Sequence, residues 1–178
     1  QEFIVMVKDL KPDAVLVAGD VYDRGVPPAD AVSLLDETLT RLVLEHRVPV
    51  LMIAGNHDSG ARLAYGQQFF DPAGLHVCST VVPETVRLYD PWGPVDFVLV
   101  PFAETAAVRL ACGEATVTDP ESAMQQRMAA IRQSAAYSFR RVALAHAFLT
   151  GGQASESERP LSVGGTGAVS ARSFDEFQ

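Results

Sequence analysis

Two apolar, β-branched runs each end in a glycine followed at once by polar side chains, and this pattern constrains the fold more than any other. Ala14-Val15-Leu16-Val17-Ala18 runs into Gly19-Asp20-Val21-Tyr22-Asp23-Arg24-Gly25, and Val50-Leu51-Met52-Ile53-Ala54 into Gly55-Asn56-His57-Asp58. Apolar runs of this kind, closed by a glycine turn, read as buried parallel strands. Their polar groups then fall at the carboxyl ends of two strands, where open α/β sheets bind ligands. An Asp, an Asn and a His gathered there are donors suited to divalent metal ions.

The rest of the chain supplies layers around such strands. Phe3–Leu10 carries apolar residues at helical spacing, and Lys11-Pro12-Asp13 breaks to the first strand. Pro27-Pro28 leads into a helix from Ala29 to Glu45, with Val32, Leu35, Leu39, Leu42 and Val43 as a core-facing stripe. A short helix over Leu63–Phe70 ends at Asp71-Pro72-Ala73-Gly74. Strands follow at Leu75–Cys78, Thr85–Tyr89 and Val95–Val100, the last two forming a hairpin across Asp90-Pro91-Trp92-Gly93-Pro94. Asp119-Pro120-Glu121 is a helix start, with an N-cap carboxylate, a proline in the first turn and an acid behind it. That helix is expected to reach Phe139. Arg141–Ala147 reads as another buried strand, ending in His146, and the Gly-, Ser- and Glu-rich tail from Thr150 to Gly167 reads as a solvated loop.

At 178 residues the chain fits one domain, and 48% hydrophobic against 20% charged residues argues against extensive disorder. A formal net charge of -8 argues against a free-standing nucleic-acid binder, which normally carries a basic face. The argument weakens for a metal enzyme, because ligands account for some acids and bound cations reverse the local field. Cys78 and Cys112 form no CxxC pattern and are expected as buried free thiols. No apolar run approaches the roughly 18 residues of a membrane span and no signal peptide is visible, so a soluble cytoplasmic protein is expected. The chain begins at Gln1-Glu2-Phe3 without an initiator Met and ends at Glu176-Phe177-Gln178 without a closing element, which reads as an internal fragment.

Phosphoester hydrolysis at a metal pair needs a carboxylate shared by both ions, further oxygen and nitrogen ligands, and an activated water. Asp20 suits the bridge, because its two oxygens can serve two ions. Asn56 offers a neutral amide oxygen and His146 an imidazole nitrogen. His57, one residue beyond a ligand, suits a general acid for the leaving oxygen or a donor to the phosphoryl group. Asp23 could hold that imidazole in the right tautomer, and Arg24 could grip a pair of phosphate oxygens. Singly, each has a plainer explanation: a turn at Gly19-Asp20, an Asx turn at Asn56, a satisfied core histidine at His146, a surface ion pair at Arg24. The case for a site lies in their occurring together, each at the end of its own strand. His76 reads as structural, and His46 as a helix C-terminal charge.

Gly19-Asp20-Val21-Tyr22-Asp23 and Gly55-Asn56-His57-Asp58 resemble the GDxxD and GNH[DE] motifs of the calcineurin-like metallophosphoesterases. Within that superfamily the chain resembles the SbcD-like nuclease subunits. The closer match is carried by Pro12–Asp23, by Pro49–Ser59, and by His146-Ala147-Phe148-Leu149-Thr150-Gly151-Gly152 with Ser155–Gly165 after it. The resemblance implies an α/β fold, a four-layer αββα sandwich, and makes residues 1–178 one partial metallophosphoesterase (nuclease) domain. It implies two divalent ions, Mn2+ with Mg2+ as the alternative, and an SbcC-like coiled-coil ATPase partner. DNA is the implied substrate, cut by ATP-dependent double-strand exonuclease and single-strand endonuclease action in repair and recombination, by a homodimer within a heterotetramer. Mapped by motif, Asp20 is the bridging ligand, Asn56 and His146 lie on one ion, His57 is the catalytic histidine, and Asp23 and Arg24 serve catalysis and substrate.

The family also carries an Asp-x-His motif on its first strand and a closing Gly-His-x-His motif, and neither occurs in this sequence. The sandwich is therefore expected to lack its first strand and its C-terminal part, and the chain alone to bind metal weakly and be inactive or nearly so. Two other functions fit some of the same residues. A phosphomonoesterase or protein phosphatase of the same superfamily would use Arg24 to grip phosphate, and a non-catalytic subunit would only dock an ATPase.

Overall fold

Helix α1 (Glu2–Leu10) forms where the apolar spacing predicts it and turns Ile4 and Val7 inward. The computed structural model describes residues 2–133, 140–152 and 167–177. Strand β1 (Val15–Val17) follows, then α2 (Ala29–Thr40), which widens into a π-helical turn over Arg41–Glu45 capped by His46. After β2 (Val50–Ile53) come two single-turn helices, α3 (Gly60–Leu63) and α4 (Gln67–Phe70). A 3-10 turn then ends at Gly74, whose φ of +98° is the left-handed stop that glycine tolerates best. The second half holds β3 (Leu75–Cys78), β4 (Glu84–Asp90), β5 (Gly93–Val100), α5 (Thr105–Cys112), α6 (Pro120–Gln133) and β6 (Arg141–Ala145).

The strands form two sheets. β1, β2 and β3 are parallel, with β2 in the centre; β5 pairs antiparallel with β4 and parallel with β6. Side-chain alternation along each strand then builds four layers. Val50 and Met52 of β2 face Ile4, Val7, Leu42 and Val43 on the outside of the first sheet. Leu51 and Ile53 face the other way and meet Leu99, Leu144, Val86, Leu88 and Phe97 of the second sheet. Val98 and Val100 turn outward again onto Met124, Met128 and Ile131 of α6. The order helix, sheet, sheet, helix is the expected αββα sandwich.

Four expectations need correction. β1 is not buried: Leu16 is 40% exposed, because β1 has only β2 beside it among the described residues and the second sheet does not cover it. β6 buries only Leu144 fully, for the same reason of an outer position. α2 buries none of its residues completely and Val32 is exposed, while Leu42 and Val43 of the π-helical turn do the packing. Apolar periodicity marks a side of the helix but not the length of it that meets the sheet. Cys112 is exposed at the end of α5, a surface helix that buries only Val108, whereas Cys78 is buried as expected; both are free thiols. The expected continuation of α6 to Phe139 lies outside the described residues, as does Ser155–Gly165. No helix among the described residues is long and apolar enough to cross a membrane.

The hairpin is held by charge as well as by its ladder. Asp96, fully buried, receives two hydrogen bonds from Arg87 across the strand pair, at 2.6 and 2.9 Å. At the turn, Arg140 donates to both oxygens of Asp90 at 2.8 Å and to the Gly93 carbonyl. These Arg140 bonds, with the backbone N–H of Trp92 behind them, hold the Asp90 carboxyl down to about 2 from its ordinary 3.8. A group with a depressed folded pKa stabilises above its unfolded pKa and loses that contribution as pH falls through the folded value. Asp90→Asn should therefore flatten the loss of stability between pH 3.8 and about 2, read as urea midpoints across that range. An unchanged acid limb would mean that the pair contributes nothing. Leu99→Ala, in the layer between the sheets, should cost about 2–5 kcal/mol in the same measurement, and a smaller loss would mean that the two sheets do not share one core.

Candidate functional site

The loop after β1 and the loop after β2 leave parallel strands at the same end, and β6 brings His146 to them from the second sheet. The chain turns sharply at Gly19 (φ +88°) and again at Asp20 (φ +48°). Asp20 thus occupies a left-handed conformation that non-glycine residues seldom adopt, though aspartate tolerates it better than most. Such strain persists only where the surroundings impose it. Here the cause is crowding. A side chain at Gly55 would collide with the Asp20 carboxylate and backbone, and one at Gly19 would meet the His146 ring and Gly55. Both glycines are places where three chain segments touch.

Two carboxylates cross between the loops in opposite directions. Oδ1 of Asp20, on the first loop, accepts from the backbone N–H of His57 at 3.0 Å. The Asp58 carboxylate, on the second loop, accepts from Val21 N at 3.1 Å, from Tyr22 N at 2.9 Å and from its own loop's Gly55 N at 2.8 Å. Burial first, then the charges of Asp58 and Asp36, pushes the Tyr22 phenol up. The sequence displays Asp58 but not this role: a carboxylate satisfied by backbone amides has no residue-type signature.

His146 lies where these loops meet. Its Nδ1 is 2.7 Å from the Ala18 carbonyl, and its Nε2 is 2.9 Å from Asn56 Oδ1 and 3.6 Å from Asp20 Oδ1. A carbonyl oxygen cannot donate, so Nδ1 carries the proton and the neutral ring presents a lone pair at Nε2. Three acceptors then face one another: an imidazole nitrogen, an amide oxygen and a carboxylate oxygen. That arrangement fits a cation, and a ligating histidine usually donates its second ring N–H to a backbone carbonyl in this way. Elsewhere among the described residues no three His, Cys, Asp or Glu side chains cluster for a metal. Phe102 packs against His146 edge-to-face, with ring centroids 6.3 Å apart.

Of the residues singled out in the sequence, Asp20, Asn56 and His146 are brought together, and His57 is tied to them through its backbone. Asp23 and Arg24 lie on the outer part of the first loop with side chains 82% and 67% exposed, 3.6 Å apart. His76 pairs with Asp71 at 3.1 Å, away from the loops.

A sheet sandwich with these two loops at its carboxyl end defines a class. The model of the calcineurin-like phosphoesterase family matches residues 1–109, more than half of the chain, and the chain belongs to that family. Membership implies a phosphoesterase that uses divalent metal ions. Among curated proteins, the chain is 32% identical over 180 residues to the D subunit of the nuclease SbcCD of Staphylococcus saprophyticus, covering 99% of this chain and 46% of that protein. It is 30% identical over 169 residues to the protein of the same name from Staphylococcus epidermidis, covering 94% of this chain and 44% of the relative. The chain thus spans less than half the length of these relatives.

Replacing Asp58 by Asn keeps the shape but turns an amide N–H2 toward backbone donors. The expected loss is about 1–3 kcal/mol in urea unfolding. Stability equal to that of the unsubstituted chain would show that Asp58 does not clamp the loops.

Proposed function

We propose that the protein to which this chain belongs is the nuclease subunit of an SbcC–SbcD-type complex, hydrolysing DNA phosphodiesters with two divalent ions. What supports the reading is the convergence of His146 Nε2 with Asn56 Oδ1 and Asp20 Oδ1, in a family defined by phosphoester hydrolysis. Asp20, Asn56 and His146 hold one ion, and Asp20 also serves the second. When bound, such ions supply Lewis acidity and a template for the phosphate. His57 donates a proton to the leaving oxygen or a hydrogen bond to the phosphoryl group. Asp23 orients that imidazole, and Arg24 contacts the phosphate. Mn2+ is the expected ion, with Mg2+ as the alternative. The names of the relatives support an SbcC-like ATPase partner and DNA as the substrate, and with them a homodimer within a heterotetramer, acting in repair and recombination in the cytoplasm.

In this reading the 178 residues supply the ligands of one ion and only the bridge to the other, so the stretch alone is inactive or nearly so. The full-length protein should cleave bis-nitrophenyl phosphate in preference to nitrophenyl phosphate in Mn2+, and the reverse preference would favour a phosphomonoesterase. In that protein His57→Asn should lower diester hydrolysis about 100-fold or more with Mn2+ affinity unchanged, while His146→Ala should weaken Mn2+ binding itself. Full diesterase activity in His57→Asn would sink the assignment of the proton donor.

A further inference from the structure

Arg127 of α6 lies on the far side of the second sheet from the loops, and its side chain is almost wholly buried, at 4% exposure. A guanidinium removed from water is costly unless paired. Nε donates to the Val81 carbonyl and Nη1 to the Pro101 carbonyl, each at 2.8 Å, and no carboxylate among the described residues meets it. Nη2 has no hydrogen-bond partner among those residues. Burial pushes the Arg127 pKa down to about 10. The neighbouring Cys78 thiol, pushed up to about 11 by burial first and Glu84 second, brings no compensating charge at neutral pH. A methionine of similar length would fill this position without the penalty, so the two carbonyl bonds are what the arginine adds.

One of those bonds lands on a junction. β5 runs out through Val100, Pro101 and Phe102, and each of the three makes a different connection. The Val100 carbonyl accepts from His146 N at 3.1 Å, and Pro101 accepts from Arg127. Phe102 N donates to the Ala54 carbonyl at 2.9 Å, directly before Gly55-Asn56, while its ring packs against the His146 ring. This short exit is therefore in contact with the segments that carry two of the three converging donors, one from each sheet. Pro101 has no N–H of its own, so its carbonyl is its only backbone hydrogen bond.

We infer that Arg127 is a positioning residue: by holding the Pro101 carbonyl it fixes the exit of β5, and through Phe102 and Ala54 it sets His146 relative to Asn56. The inference rests on the reading of His146 and Asn56 as metal ligands, but the mechanical link it describes is measurable without metal.

The test compares Arg127→Met, Arg127→Lys and Phe102→Leu in the full-length protein. Three quantities are read: the His146 imidazole signals of the metal-free, histidine-labelled protein (assigned by their loss in His146→Asn), Mn2+ affinity by electron paramagnetic resonance, and Tm. Arg127→Met should shift the His146 signals and weaken Mn2+ binding about tenfold or more, with Tm no lower, since an uncompensated buried charge is removed. Arg127→Lys, which keeps one donor, should recover part of both. Phe102→Leu, with Arg127 intact, should also shift the signals. A folded Arg127→Met with His146 signals and Mn2+ affinity of the unsubstituted protein overturns the inference. If Arg127→Met does not fold, Arg127→Lys decides in its place, and unchanged signals and affinity there overturn the inference equally. Shifted His146 signals in a protein that binds no Mn2+ even when unsubstituted would support the link and sink the metal reading separately.

Discussion

The reciprocal exchange between the two glycine-punctuated loops is the contact on which the rest of the site depends. Each loop contributes one carboxylate that is satisfied by backbone N–H groups of the other: Asp20 by His57, and Asp58 by Val21 and Tyr22. Hydrogen bonds to a charged acceptor are each worth about 1.5–3 kcal/mol, and four of them join here when Gly55 N is included. Neither loop is a regular element, so neither can satisfy these amides within itself. The exchange requires the loops to touch, and they touch because Gly19 and Gly55 have no side chains to keep them apart. The unusual backbone of Asp20 follows from the same crowding.

Because the loops lock to one another, the sheets must deliver them at one level, and the layers show how. β1 and β2 are in direct parallel register, Val15 beside Val50 and Val17 beside Met52, so their carboxyl ends finish side by side. The second sheet meets the first through Leu51, Ile53, Leu99 and Leu144, which sets the height of β5 and β6. His146 then reaches the loops of the other sheet, and its Nδ1 bond to Ala18 spans 128 residues of sequence. The two buried charges of the second sheet serve different ends. Asp96 is matched by the planar fork of Arg87 and stabilises the hairpin locally. Arg127 has only carbonyls for partners and gains little locally, which is why its value must be sought in what those carbonyls hold.

Most of the fold could be read from local chemistry. The apolar runs at Val15 and Val50, the turn at Asp90-Pro91-Trp92 and the capped start at Asp119 act over a few residues, and each forms where it is expected. What failed was burial. Leu16, Val32 and Cys112 are apolar by composition and exposed by position, and position depends on which layer reaches them. Helix α5 escaped notice because its short apolar stretch follows no capping signal: Glu104 caps it without a side-chain bond. In the site, motif residues could be named because spacing after a strand is local. Asp58 as a clamp, Ala18 as the acceptor that fixes the His146 tautomer, and Phe102 as its neighbour depend on segments distant in sequence.

The two aspartates of the loops also differ in how much of their charge remains to be used. Asp58 faces three backbone N–H groups, and a carboxylate so surrounded is already compensated. Asp20 accepts one, from His57, and its Oδ1 also lies near the unprotonated nitrogen of His146. A lone pair, an amide oxygen and an under-compensated carboxylate facing each other repel unless a proton or a cation lies among them. The same imbalance bears on the chain's net charge of -8. An acidic surface repels the backbone of nucleic acid, so in the proposed reading substrate affinity at these loops must come from bound cations and from parts of the assembly outside this stretch. The division of labour between the two carboxylates makes that workable: one holds the loops in place whether or not a metal is bound, and the other is left able to bind it.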